Sequence, residues 1–439
     1  MKIIILLASI WSLSTSLSAV ELSRDNRGEV LIFPLFNTNN GWDSLISISA
    51  QPYIPNIFRV RIREGGNGAQ VNTFYVYNSP AESWRASISK RSNGEVVLTV
   101  AEGSCMVTEN LEFGGPGFEY SLGASIGTIE VYSVGAVLTS YSWDSEPDCT
   151  DIAERWRPLQ PWRNDPSDGL QEITVPKISG EMNLVNVGEG LAAGYTATAL
   201  DHFNDQFAHT SPWDDSPHLG EAEPVATASN GVDVVPESGE GIDAVAMVLG
   251  LDGPSIISND VIVADSIGAR TDWVLSYPLD GYKNYRPFPV SIKGSERQCE
   301  TFGLSTAQGE PFVELRADTA VSVLESWGNG KHLGGELVPD PPPLIEVAPA
   351  VCHSVNIISF EGKDSILIPL DAPNLIPLSG VTASDVSQLR WRLVEPVFPV
   401  MDGIRRPVLG FRLTTFVNGT LDGGNVLANY AILRPHVRQ

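Results

Sequence analysis

The run from Phe58 to Arg63 fixes the kind of scaffold this chain can build. Phe58, Val60 and Ile62 alternate with Arg59, Arg61 and Arg63. A strand sends successive side chains to opposite faces, whereas a helix would wind both kinds around its whole surface. The segment is therefore a strand with one core face and one basic face. Segments 30–36, 45–49, 71–77, 96–100 and 128–134 are also rich in β-branched and aromatic residues. Turn residues punctuate them: Asn39, Asn40 and Gly41, then Gly65, Gly66, Asn67 and Gly68, then Asn93 and Gly94. Short strands with turn signals between them predict an antiparallel, immunoglobulin-like sandwich over residues 20–150.

The rest of the chain extends the pattern. Gly 40, Pro 31 and only 18% charged residues make it turn-rich without reaching a low-complexity composition. The class expected is all-β: two β-sandwich-like domains with long loops and little helix. A crossing segment, 151–180, leads to the second domain, 181–439. There 182–187, 194–200, 273–277, 312–316, 320–325, 355–360, 389–393, 409–417 and 426–433 read as strands. Residues 184–200 echo 45–63, as in a duplicated sandwich or merely as one sandwich strand pair resembles another. Residues 201–240 form an acidic loop, and 340–343 (Asp-Pro-Pro-Pro) a stiff connection. The apolar run 244–249 is too short to separate helix from buried strand.

Lys2, the apolar run 3–11 and the small-residue stretch 12–19 follow the order of a secretion signal ending at Ser18 or Ala19. Neither this run nor any later one reaches the roughly 20 apolar residues of a membrane span. The chain is thus expected to be exported to the periplasm, cell surface or medium, with no integral membrane segment. Cys105, Cys149, Cys299 and Cys352 are even in number, so an oxidising compartment predicts two disulfides. The sequence-local pairing, Cys105 with Cys149 and Cys299 with Cys352, is favoured. The net charge of −25 repels nucleic acid and anionic lipid and attracts basic partners or divalent cations.

The densest set of candidate ligands is Asp201, His202, Asp205, His209, Asp214, Asp215 and His218. Carboxylates and imidazoles on one loop suit calcium or zinc. Their spacing matches no metal motif, and a solvated acidic loop is the simpler reading; no other cofactor is indicated. Arg59, Arg61 and Arg63 would bind an acidic glycan or protein face, or form a wet strand face that discourages edge pairing. The wet face is favoured. Trp143, Trp156 and Trp162 would stack on sugars or pin the crossing segment to a domain wall, the commoner use. No Gly-x-Ser-x-Gly elbow, phosphate-cradling loop or dinucleotide fingerprint occurs. A glycosidase needs two facing carboxylates, which linear sequence does not single out. The expected role is a non-catalytic interaction or surface-structural protein of the bacterial envelope, with a protein or glycan partner. The alternatives are a secreted glycan hydrolase and a metal-stabilised binding module.

Segments 28–36 (GEVLIFPLF) with 43–47 (DSLIS), 194–200 (GYTATAL), 271–278 (TDWVLSYP), and 416–419 (FVNG) with 427–430 (LANY) run in order along nearly the whole chain. In this they resemble a family of exported, β-rich proteobacterial proteins loosely called cell-surface proteins. The resemblance implies export and a β-rich fold, and carries no reaction and no catalytic residue. Leu279 and Asp280 depart from the basic ending expected after the tryptophan segment.

Overall fold

The structure is a computed structural model that describes residues 19–50, 55–78, 83–101, 104–136, 149–168, 170, 176–204, 209–227, 231–236, 238–250, 255–282, 300–301, 312–317, 350–351, 353–360, 364–378, 386–393, 407–421 and 426–438. Most of the leader, Trp143, Asp205, Cys299, Cys352 and segments 320–325 and 340–343 lie outside the described residues. The fold is all-β and sandwich-like, with short helices between strands. No helix among the described residues is long and apolar enough to cross a membrane.

In chain order the first strands are β1 (Glu21–Leu22), β2 (Val30–Asn37), β3 (Asp43–Ser49), β4 (Asn56–Glu64), β5 (Gln70–Asn78), β6 (Ser83–Lys90) and β7 (Val96–Val100). They continue with β8 (Ser104–Thr108), β9 (Phe113–Gly114), β10 (Glu119–Leu122) and β11 (Ile126–Ala136). Helices α1 (Cys149–Arg155) and α2 (Pro161–Asn164) precede β12 (Ser179–Asn186), β13 (Leu191–Thr196) and β14 (Thr198–Asp201). One sheet has the order β1-β14-β2-β11-β4-β5-β8-β9, the other β10-β7-β6-β3-β12-β13. Leu31, Phe33, Phe58, Val60, Ile62 and Phe74 of the first sheet meet Ile46, Ile48, Trp84, Ile88, Met182 and Leu184 of the second in one core. Full burial of each such side chain is worth about 1.5–3 kcal/mol.

This topology corrects the expected boundary at residue 150. Strands β12 to β14, assigned from sequence to the second domain, belong to the first sandwich. β12 lies between β3 and β13, and β14 between β1 and β2. The echo between 45–63 and 184–200 is therefore two parts of one sandwich, with β3 paired directly to β12. Local pattern sets strand character but leaves the pairing partner open.

The two sheets differ in what covers them. β3, β6, β12 and β13 alternate buried with more exposed residues, as a strand with one wet face does. β2 is buried along its whole length, and β4 and β5 nearly so. Their second face is covered by described residues of 149–168, 209–227 and helix α3 (Gly241–Leu249). Ile152, Trp156, Trp162, Leu219, Ile242 and Val245 pack there on Val30, Ile32, Ile57, Tyr75, Tyr77 and Tyr132. The run 244–249 is thus helical. α3 needs glycine at its start, because a Cβ on Gly241 would sit 2.1 Å from the Ala222 carbonyl oxygen.

Among the described residues, most downstream strands fall into two larger sheets. One has the order Phe312–Ala317, Val386–Leu393, Ser255–Ile262, Val437–Arg438. The other has Leu375–Leu378, Val355–Phe360, Ala269–Ser276, Leu409–Phe416, Tyr430–Pro435, its first pair parallel. Val274, Val355, Ile357, Leu367, Phe411 and Leu413 belong to the same continuous core as the first sandwich. The glycine turn after β4 helps to join the parts: Ser354 and Val355 donate main-chain N–H to the Gly66 and Gly65 carbonyls at 2.9 and 2.8 Å.

Candidate functional site

The arginine stripe is where the chain concentrates its chemistry, and it is not a wet face. Arg59, Arg61 and Arg63 are 0, 1 and 4% exposed. The expectation failed because the covering layer comes from residues more than a hundred positions away. Arg59 donates to Thr73 Oγ1 (3.0 Å), Tyr75 OH (3.3 Å), Thr210 Oγ1 (3.1 Å) and the carbonyls of Ser211 (3.3 Å), Pro212 (3.1 Å), Asp214 and Ser216. Arg61 donates to the carbonyls of Asp215 (2.5 Å) and Pro217 (2.9 Å), and to Asp215 Oδ1 (2.5 Å). Two guanidiniums therefore gather the carbonyl oxygens of segment 211–217 from beneath. The acidic loop does bind cations, and those cations are the protein's own arginines.

Arg63 is held differently. Its Nε donates to Glu130 Oε1 at 2.6 Å, and its guanidinium lies 4.0 Å from the centre of the Tyr282 ring. Tyr132 and Tyr282 donate O–H to Glu130 Oε2 at 2.6 and 2.7 Å. Burial opposes the charge on Arg63, but Glu130, Tyr282 and Tyr132 together outweigh it and the pKa ends above the ordinary value. Burial likewise pushes the Tyr132 hydroxyl well up and Tyr282 up to about 12. A fully buried ion pair whose remaining lone pairs are filled is the arrangement that tolerates loss of water.

Beside this network, His209 sits among Tyr75, Tyr77, Trp156 and Trp162, with ring centres 5.0 to 6.0 Å away. Its Nδ1 lies 2.5 Å from the Pro166 carbonyl, which only accepts, so Nδ1 carries the proton. Nε2 then accepts from Tyr77 OH at 3.0 Å, and Tyr77 OH accepts from Trp156 Nε1 at 3.1 Å. Burial pushes His209 down to about 4, with Arg59 adding to this and the Pro166 carbonyl acting against it. Because the unfolded chain takes up this proton near pH 6.5 and the folded one near 4, stability falls as pH drops through that window. The loss reaches roughly 3 kcal/mol at the linkage rate of 1.36 kcal/mol per unit. His209→Gln should therefore show a shallower acid limb in urea unfolding between pH 6.5 and 4. An unchanged limb would refute the assignment.

The described candidate metal ligands, Asp201, His202, His209, Asp214, Asp215 and His218, do not converge on one point. Asp214 accepts the Ser211 N–H at 3.1 Å and Asp215 pairs with Arg61. Burial raises Asp215, but the Arg61 hydrogen bond and charge hold it below its ordinary pKa. His218 Nδ1 accepts the Gly220 N–H at 3.0 Å, at the start of a short 3-10 turn. Asp201 and His202 instead meet Glu21 on β1, their ligand atoms within 4.8 Å of one another. Lys177 already pairs with Asp201 there.

Trp156 and Trp162 are 1 and 2% exposed, which removes them as sugar platforms and makes them the pins of the crossing segment. Trp162 stacks on Tyr77 at 5.6 Å, and its Nε1 donates to the Asp168 carbonyl at 3.0 Å. The expected Cys105–Cys149 disulfide is formed and ties α1 to β8. Sequence reading passed over Tyr75, Tyr77, Glu130, Tyr132 and Tyr282. A signal was present for the first two: they alternate with Phe74 and Val76, so both faces of β5 carry large apolar surface. Comparisons with protein-family models, curated proteins and solved structures gave no match.

Proposed function

We propose that this chain is an exported, non-catalytic interaction or surface-structural protein of the bacterial envelope. One observation carries the reading: the constellation richest in chemistry is spent on holding the protein together. Arg59 and Arg61 grip segment 211–217, Arg63 closes on Glu130, and His209, Trp156 and Trp162 lock the crossing segment onto the large sheet. A disulfide suits an oxidising compartment. Burying Arg59, Arg61, Arg63 and Arg412 also withdraws positive charge from a chain of net charge −25, which leaves the surface acidic and suited to a basic partner. The glycan-hydrolase alternative looked to the acidic residues of the 201–215 region; of these, Asp214 accepts the Ser211 N–H and Asp215 pairs with Arg61 of β4.

The test is protease and antibody accessibility of the native protein on intact cells, with the culture medium assayed in parallel. Exposure on cells, or accumulation in the medium, is the expected result. Protection until the outer envelope is opened would move the protein to the periplasm and remove the surface-structural reading.

A further inference from the structure

Asp272 lies in the middle of the Ala269–Ser276 strand and is 1% exposed. One of its oxygens, Oδ2, accepts from Ser365 Oγ (2.6 Å), the Ile366 N–H (2.8 Å) and the Leu367 N–H (3.1 Å). The other side of the same short segment is held by the first sandwich. Asn40 Nδ2, Trp42 Nε1 and Asn37 Nδ2 donate to the carbonyls of Ser365, Ile366 and Leu367 at 3.2, 3.0 and 2.8 Å. Ser365 Oγ also accepts the Leu367 and Ile368 N–H groups, and Leu367 and Ile368 are buried in the core shared by the two parts of the protein. The segment is clamped on its N–H edge by one carboxylate and on its C=O edge by a turn 324 to 330 positions earlier in the chain.

We propose that residues 364–368 form a proton-operated latch, which closes the seam between the first sandwich and the downstream sheets while Asp272 is protonated and loosens as Asp272 ionises.

The argument is one of hydration. A carboxylate needs water that the closed segment excludes, and three donors on a single oxygen replace that water only in part. A protonated carboxyl keeps Oδ2 as acceptor and costs far less to bury. Few charges act on the site. Arg270 stands two residues earlier on the same strand and is exposed. Opposite Asp272 on the neighbouring strands are Ser359 and Leu413. Arg412, next to Leu413, is bonded to Asp260 at 3.2 Å. Asp364 at the start of the segment is exposed, Asp43 behind the turn is half-buried, and Asn37, Asn40 and Trp42 are neutral. Burial is thus the dominant influence and pushes Asp272 up to about 7, against the opposing hydrogen bonds and Arg270. When the segment lifts, water reaches the carboxyl and its affinity for a proton returns to the ordinary range. The closed form holds the proton more tightly, so opening becomes easier as pH rises towards 7 and levels off above it.

Hydrogen exchange of the Ile366 and Leu367 amides from pH 5 to 8 tests this, with β4 amides as the control. After correction for intrinsic exchange, the opening constant of the two amides should rise by up to roughly tenfold per pH unit below 7. The β4 amides should not follow, and Asp272→Asn should abolish the pH dependence. An opening constant that is flat across this range, or that moves in step with β4, overturns the proposal. Should Asp272→Asn fail to fold, the wild-type Asp272 carboxyl 13C shift decides instead: titration below pH 5 overturns the latch and titration near 7 supports it.

Discussion

Replacing Arg59 with methionine is expected to destabilise the protein by about 3–5 kcal/mol, because several buried carbonyl acceptors lose their donor at once. Methionine fills much of the arginine stem's volume, so packing loss is small. What goes is the donor set beneath segment 211–217. The carbonyls of Ser211, Pro212, Asp214 and Ser216 point at this guanidinium, and without it they face an apolar thioether. Each buried acceptor left unmatched costs about 1–3 kcal/mol, and partial lifting of the segment to reach water would relieve some of that. Arg59→Lys should fall between, because a single ammonium cannot reproduce the planar fork that reaches these oxygens together. Arg91, an exposed arginine paired with Glu95 and Glu119, is the control; Arg91→Met should leave stability nearly unchanged. Urea unfolding of the variants measures the difference. A loss below about 1 kcal/mol for Arg59→Met would mean that the segment does not depend on the guanidinium.

The second large effect is expected from the disulfide. Cys105 and Cys149 are 44 positions apart, and closing a loop of that length removes chain entropy worth about 4 kcal/mol from the unfolded state. The Cys105→Ser, Cys149→Ser double variant should lose roughly that amount. Its effect should also be uneven. α1 enters the layer over the large sheet directly behind Cys149 and delivers Trp156 to Tyr77 and His209. Freed from β8, this layer should loosen before the sandwich beneath it, seen as tryptophan emission moving to the red at denaturant concentrations where β-sheet circular dichroism is still native. A double variant as stable as the parent, or one that loses both signals together, would contradict this account.

Both effects arise where reading the sequence succeeded for one layer and failed for the next. The alternation at 58–63 identified a strand and its core face, but took the buried basic face for a wet one. What covers the second face is decided by Trp156, His209, Leu219 and Ile242, whose local sequence reports nothing about a sheet so far back in the chain. The unbroken apolar run of β2 was the available clue, since a strand with one wet face would alternate. The acidic loop misled for a related reason. Asp214 and Asp215 look like ligands for an external cation, whereas the contacts that matter are main-chain carbonyls, which every residue carries and no composition reveals. The Cys105–Cys149 bridge was legible because it is local and the cysteine count is even. Asp272 was visible only as part of a short resemblance, because its partners Ser365, Ile366 and Leu367 lie more than ninety positions on.

The placement of β12 and β14 also sets an order of events during biogenesis. Until residue 201 is available, β3 lacks a neighbour on one side and β2 lacks the strand that joins it to β1. A chain delivered N-terminus first would hold these edges open while the 42 residues between the end of β11 at 136 and the start of β12 at 179 emerged. Long-range pairing of this kind is slow and exposes unpaired edges to other chains. The first sandwich is thus the last-closed part of its own half, and a nascent chain stalled near residue 150 would be a client for a holdase rather than a folded module.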